Sequence, residues 1–253
     1  MKKLVIILAT ILFSATSIMG QVGDVNKNVK KDKDNSNNPS AESSNSSGKD
    51  RSNSNCGLCY FFVDLFASTI VAGQRAALEN VDIYPERVSL EAFSTFGTGF
   101  SNSTNYFQAG MRVNWGIFGS DFKYTNLMDR TGNLSTIDWQ VLVIRVPIEN
   151  FKIDWGLGYI SVLDISQAYF NSTIGFDWRL PNIGMNINSA YQSSARTSLD
   201  DTRYKKSFMI RIDYEIYNKN KVHLSPRLEY AYQSYFEETK FSLLSVGLVF
   251  RVY

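Results

Sequence analysis

Residues 204–217 read Tyr-Lys-Lys-Ser-Phe-Met-Ile-Arg-Ile-Asp-Tyr-Glu-Ile-Tyr, and their alternation decides the fold class. Even positions carry Tyr204, Lys206, Phe208, Ile210, Ile212, Tyr214 and Ile216. Odd positions carry Lys205, Ser207, Met209, Arg211, Asp213, Glu215 and Tyr217. Successive side chains of a strand point to opposite faces, so one face here is apolar and the other bears a charged row. Setting an arginine such as Arg211 against lipid at the bilayer midplane costs about 2–4 kcal/mol, so the charged row turns inward. An apolar exterior around a charged interior is the pattern of a strand crossing a membrane in a closed barrel.

The same alternation repeats from Glu86 to Tyr253. Turn chemistry divides it into strands predicted at Glu86–Phe96, Tyr106–Phe118, Asp121–Leu127, Ser135–Pro147 and Phe151–Val162, then Gln167–Leu180, Ile183–Gln192, Tyr204–Tyr217, Lys221–Tyr235 and Lys240–Tyr253. That makes an all-β, antiparallel transmembrane β-barrel of about ten strands, with eight and twelve as alternatives, each strand long enough for a tilted crossing. Long and short connections tend to alternate, as between external loops and periplasmic turns, although Leu163–Ser166 is short for an external one. An even count puts both barrel ends on the periplasmic side. Two places break the pattern. Val141–Val146 is apolar on both parities apart from Arg145, which suggests a bulge; Pro226 removes a ladder donor and suggests a bulge or local opening.

Aromatics make up 14% of the chain, with 14 Tyr and 17 Phe, which suits two interfacial belts. The predicted lower belt comprises Trp115, Phe118, Phe151, Trp155, Trp178, Tyr217 and Tyr253. The predicted upper belt comprises Tyr106, Phe107, Phe170, Tyr204, Tyr232 and Tyr235. The net charge of +2 argues against nucleic acid as a partner, since a basic face would be needed.

Upstream of the barrel, residues 1–20 have the basic start, apolar run and small-residue exit of a cleaved secretory signal, with Gly20–Gln21 as the chosen cut. No Cys follows the apolar run, so lipid modification is not indicated. Residues 21–55 are rich in Asn, Ser, Lys and Asp and are expected to be a disordered periplasmic tether. Residues 56–85 form a short Cys-containing segment in which Phe61, Phe62, Leu65, Phe66, Thr69, Ile70 and Gly73 recur at helical spacing. A short amphipathic helix is expected there, lying in the membrane interface, at the barrel mouth or inside it. Cys56 and Cys59 are the only cysteines. A local disulfide fits an oxidising periplasm; thiol exchange is the sharper alternative but lacks its usual βαβ scaffold.

The alternation and the terminal run Leu244-Ser245-Val246-Gly247-Leu248-Val249-Phe250-Arg251-Val252-Tyr253 resemble small bacterial outer-membrane β-barrel proteins, especially those of Bacteroidetes. The resemblance covers roughly the last two thirds of the chain. It implies Phe250 and Tyr253 as an assembly signal, although the apolar parity of Val246, Leu248, Phe250 and Val252 is one step out of phase with Tyr253. It also implies outer-membrane lipid and the barrel-assembly machinery as partners, with room for an envelope protein partner, and no cofactor.

Inside the barrel the pattern places Arg112, Asp154, Asp177, Arg179, Arg211, Asp213, Glu215, Arg227, Glu229 and Arg251. Balanced signs on long side chains suit a network filling a narrow lumen; a selective pore or ligand site is the alternative. His223, the sole histidine, is expected near the periplasmic end beside Lys221, away from the rim position a barrel hydrolase would need. Asp200 and Asp201 are adjacent acids without further metal ligands. No catalytic or metal site emerges. The expected role is structural or binding and non-catalytic, with a narrow channel and a lipid- or peptide-modifying enzyme as rivals.

Overall fold

Each apolar–polar strand finds its neighbour in sequence, and the last finds the first. The computed structural model describes residues 21–37, 88–100, 104–148, 150–196, 203–219 and 221–253. The strands are β1 (Val88–Gly99), β2 (Asn105–Trp115), β3 (Phe118–Asp129), β4 (Gly132–Ile148), β5 (Phe151–Val162) and β6 (Gln167–Leu180). They continue as β7 (Met185–Ala195), β8 (Arg203–Tyr214), β9 (Tyr217–Lys219), β10 (Val222–Tyr235) and β11 (Thr239–Val252). All pairings are antiparallel between neighbours, and β11 also pairs with β1 from Leu90↔Val252 to Gly99↔Leu243, which closes the barrel. The short β9 continues β8 after a break, so the wall has ten strands.

That break has a local cause. β10 pairs with β8 from Tyr235 down to Arg227↔Asp213 and resumes with β9 at Leu224↔Tyr217. Pro226 lies between these ladders and has no N–H to offer a partner, so the neighbouring strand parts at Glu215 and Ile216. The expected bulge in β4 is also present: the register shifts at Val141, between Gln140 and Leu142. Across from it sits Gly158, where a Cβ would come within 1.9 Å of the Trp139 carbonyl oxygen, so only glycine lets the strands approach there. The turn predicted at Gly119-Ser120 falls earlier, at Gly116–Ile117, because Gly116 supplies the positive φ (60°) that a two-residue reversal needs.

The outer face carries Leu90, Met111, Val113, Phe122, Trp139, Ile174, Phe176, Phe208, Leu228, Val246, Leu248 and Phe250, all exposed. Trp115, Trp155 and Trp178 stand on that face towards one mouth, Tyr159 and Phe170 towards the other. An apolar wall of this extent suits hydrocarbon, and aromatic girdles suit its two interfaces. Among the described residues no helix is long and apolar enough to cross a membrane. Val246, 62% exposed in β11, gives a test. Val246→Arg is expected to destabilise the folded barrel by about 2–4 kcal/mol in a bilayer, read as a lower temperature of conversion to the slow-migrating form on gels. On a water-facing wall the same change would be close to neutral.

Two mouths can be told apart. The lower mouth holds the start of β1, the end of β11 and the turns at Gly116–Ile117, Pro181–Gly184 and Lys221. The upper mouth holds the turns at Arg130–Thr131, Leu163–Ser166 and Phe236–Glu238. A helix, α1 (Val22–Asn37), sits in the upper mouth. This corrects the expectation of a disordered tether over those residues. Val22, Val25 and Val29 recur at i, i+3 and i+7, so the helix has one narrow apolar stripe, and all three are completely buried in the barrel. The rest of the tether, the signal segment, the Cys-containing helical segment expected at residues 56–85, Asp200 and Asp201 lie outside the described residues.

Candidate functional site

The lumen is built in layers: strand parity decides which side chains point inward, and height along the strand decides the layer. Below α1 the inward positions are apolar and aromatic: Leu127, Leu134, Ile160, Val162, Tyr169, Tyr204, Tyr235, Phe241 and Leu243 are buried around the three valines. Tyr169 and Tyr204 stack at 4.1 Å with nearly parallel planes, and Tyr235 meets Tyr204 edge-on at 5.4 Å. Tyr106, Tyr204 and Tyr235 are therefore part of this seal, correcting their assignment to an outer belt. Tyr106 and Tyr235 share the inward parity of Gln108 and Gln233, and Tyr204 follows the register shift at Ser194/Ala195.

Polar side chains of the wall hold the helix at both ends. The Val22 amide donates to Asp129 Oδ2 (2.9 Å) and the Gly23 amide to Thr131 Oγ1 (3.0 Å). These satisfy amides that the first helical turn leaves without partners, and the carboxylate complements the positive end of the helix dipole. Asp129 is itself fixed by the Thr131 and Gly132 amides. Further along, Asp32 accepts from the Tyr169 hydroxyl (2.9 Å) and Arg196 (3.1 Å), and Lys33 donates to the Ile165 carbonyl (2.7 Å).

Beneath the seal lies a hydrogen-bonded polar layer. Asp138 accepts from Gln140, Asn171 and Gln192, with Lys123 Nζ at 3.3 Å. Glu229, wholly buried, accepts from the Tyr106 hydroxyl (3.1 Å) and Arg211 Nε (2.6 Å). Lower still, Arg227 makes a two-pronged pair with Asp213 (2.7 and 2.9 Å) and reaches Glu91 at 3.1 Å. Arg251 bridges the same two carboxylates, and the guanidinium groups of Arg211 and Arg227 flank the Phe93 ring at 5.4 and 5.0 Å. Across the lumen Arg112 pairs with Asp154 at 2.6 Å. Buried charges persist only when paired in this way, because unpaired desolvation costs several kcal/mol per ion.

The lowest layer opens into a polar vestibule of about 180 Å³ at the lower mouth, lined by residues including Glu91, Lys152, Asp177, Arg179 and Arg251. Glu215, in the break between β8 and β9, accepts from His223 Nδ1 (2.9 Å, if the ring nitrogen carries the proton) and Asn218 (2.7 Å). Burial pushes its carboxyl up, but these hydrogen bonds outweigh burial and hold it below the usual range. Tyr253 turns inward and packs edge-on against His223 at 4.7 Å, correcting its assignment to the lower belt and matching its out-of-phase parity. Phe250 faces outward on the wall and is exposed.

All ten charged residues assigned to the lumen by parity are placed there or at its lower rim. The structure brings Arg211 to Glu229, Arg227 and Arg251 to Asp213, and Arg112 to Asp154; Asp177 and Arg179 line the vestibule, and Glu215 sits on the rim. The candidate list drawn from sequence omitted Glu91, Asp121, Lys123, Asp138 and Arg145, and also Lys205, although Lys205 stands on the inward row of residues 204–217. Glu91 shares its parity with Ser89 and Thr95, and Lys123 with Asp121 and Thr125, so the signal was present in the predicted strands.

No protein-family model and no curated protein matches the sequence. Among solved structures, the chain is similar to the NanC porin at 10% identity, with 65% of this chain and 99% of that chain covered and a TM-score of 0.39. It is similar to the translocator domain of the autotransporter NalP from Neisseria meningitidis at 10% identity, over 78% and 97% of the two chains, with a TM-score of 0.34. The outer membrane protein opdK from Pseudomonas aeruginosa matches at 10% identity and a TM-score of 0.32, with 64% of this chain covering 57% of that one. Scores this low carry no information on function.

Proposed function

We propose that this chain is an integral outer-membrane β-barrel with a closed lumen and a structural or binding role, without catalytic activity. The observation that carries the reading is the sequence of layers: an apolar seal completed by α1, above a polar network whose buried charges, apart from Lys205 over the Tyr235 ring, are paired. A permanently conducting pore would need a continuous water path, which the seal interrupts. In this reading the chain is exported by cleavage of residues 1–20 and placed in lipid by the barrel-assembly machinery, and its exposed loops meet any envelope partner. Wall residues and the inward parity of every strand support a lipid surround; the pairing of the lumen charges supports a filled interior over a solute site.

A second reading is a narrow channel opened by release of α1, favoured by the vestibule at the lower mouth. Planar-bilayer recording of the full chain and of a variant lacking residues 21–37 separates the two. The closed reading expects no stable conductance steps from either protein, because the layer around Asp138 and Glu229 still blocks the path after α1 is removed. Stable steps from the variant alone would establish the gated channel, and stable steps from both would overturn closure altogether.

A further inference from the structure

Lys205 is the one buried cation of the described lumen that makes neither an ion pair nor a hydrogen bond; its Nζ lies 5.5 Å from the centre of the Tyr235 ring. A bulge puts it there. Lys205 pairs with Ser194 and Arg203 with Ala195, so Tyr204 is an extra residue of β8 without a partner in the β7 ladder. Such an insertion re-aims side chains, and Tyr204 and Lys205 are both buried although they are consecutive. The tyrosine joins the seal, stacked on Tyr169. The lysine, opposite Tyr235 on β10, is left at the boundary between the seal and the polar layer.

No carboxylate nearby is spare. The charged neighbours of Lys205 are Asp138, Lys123 and Glu229. Asp138 already accepts from Gln140, Asn171 and Gln192 and lies beside Lys123, while Glu229 accepts from Tyr106 and Arg211. Asp121 stands 3.8 Å from Lys123 and opposite Arg112, and Asp154 is shared by Arg112 and Arg145. Lower down, Asp213 and Glu91 answer Arg227 and Arg251. Once these are matched, the charge left over is one ammonium. A ring face returns less than the hydration a buried ammonium gives up, so the aromatic contact alone does not balance it.

We propose that the lumen holds one monovalent anion of halide size on the Lys205 ammonium. The proposal rests on the closed-lumen reading above, because a lysine in open water needs no bound counterion. One unmatched cation calls for a single negative charge. The site lies against the Tyr235 ring and beside carboxylates whose hydrogen bonds are already made, which suits a spherical anion better than a carboxylate with two oxygens to seat. Lys205 supplies a charge-assisted hydrogen bond, and the anion is enclosed as the barrel closes.

The test is reversible urea unfolding of the full chain in detergent, in sodium chloride and in sodium gluconate at equal ionic strength. Gluconate is too large for the site and controls for screening. A ligand bound only by the folded state raises that state's population by mass action, about 100-fold at 100 times the dissociation constant. The parent midpoint is expected to rise as chloride replaces gluconate, and the Lys205→Met midpoint to stay where it is. In gluconate the variant should be at least as stable as the parent, since the stranded ammonium is gone. Crystals of the parent grown from bromide should show an anomalous peak within hydrogen-bonding distance of Lys205 Nζ, a readout that stands even if the variant does not fold. A parent midpoint indifferent to chloride, an equal rise in parent and variant, or no bromide at Lys205 overturns the proposal while the closed barrel stands. Steady conductance of the parent in planar bilayers would instead remove the closed lumen, and the proposal with it.

Discussion

Val25→Glu is expected to release α1 from the upper mouth while leaving the barrel folded. Val25 is completely buried, between Val22 and Val29 on the one apolar stripe the helix has. Burying three valines contributes about 1.5 kcal/mol each at most, so roughly 4–5 kcal/mol of apolar stabilisation holds the helix. A carboxylate placed in this buried apolar cluster would lose its hydration and cost several kcal/mol, enough to cancel that sum. Trypsin provides the readout on detergent-folded protein. The parent chain should resist cleavage after Lys27, Lys30 and Lys31, because proteolysis needs a locally opened helix. In Val25→Glu the cleavage should be at least about tenfold faster, as a loss of more than 1.4 kcal/mol of docking requires. Lys27→Glu, on the exposed face, should leave docking almost unchanged. Equal cleavage of parent and Val25→Glu would mean that the valines do not hold the helix.

The largest effect on the barrel itself is expected from Glu229→Ala. Glu229 is the acceptor for both Tyr106 and Arg211, and its removal leaves a guanidinium with the Phe93 ring and, as hydrogen-bond acceptor, Gln108 at 3.3 Å. Removing one member of a buried ion pair typically costs about 3–5 kcal/mol, most of it the cost of stranding the other charge. The denaturation midpoint in detergent should fall accordingly. Glu229→Gln keeps an acceptor and should cost less, about 1–3 kcal/mol. Adding Arg211→Leu to Glu229→Ala should restore part of the loss, since the stranded charge is then gone. If the double variant is as unstable as the two losses summed, the pair is not coupled and the layer does not work as a unit.

How much of this could be read beforehand depended on which force governs each segment. In β5 and β6 the alternation is uninterrupted and both ends meet polar turns, so Phe151–Val162 and Gln167–Leu180 were predicted with the bounds the structure has. β3 was predicted short, starting at Asp121, because Gly119 and Ser120 look like a turn. There the strand in fact begins at Phe118, since cross-strand pairing with β2 and β4 outweighs the local preference. The charged lining was legible because a misplaced charge is expensive; which partner each charge takes was not, because pairing joins residues as distant as Glu91 and Arg251. The helix α1 was illegible on composition. Its sequence is Asn, Asp, Lys and Gly around three valines, a poor isolated helix that becomes ordered only when a tertiary surface receives the stripe. The tyrosine seal was misjudged for a related reason: aromatic residues near strand ends suit a belt or a plug equally well, and only parity and the β7–β8 shift separate them.

Lipid outside and a paired, stoppered lumen inside make up the account, and heat-modifiability of the protein recovered from outer membranes tests it most directly. Material that fractionates with the outer membrane, resists extraction by urea and migrates faster unboiled than boiled is the predicted result. A product found in the soluble fraction, with no mobility shift on boiling, would contradict it, because a wall bearing Val246, Leu248, Phe250 and Trp115 outward has no other reason to exist.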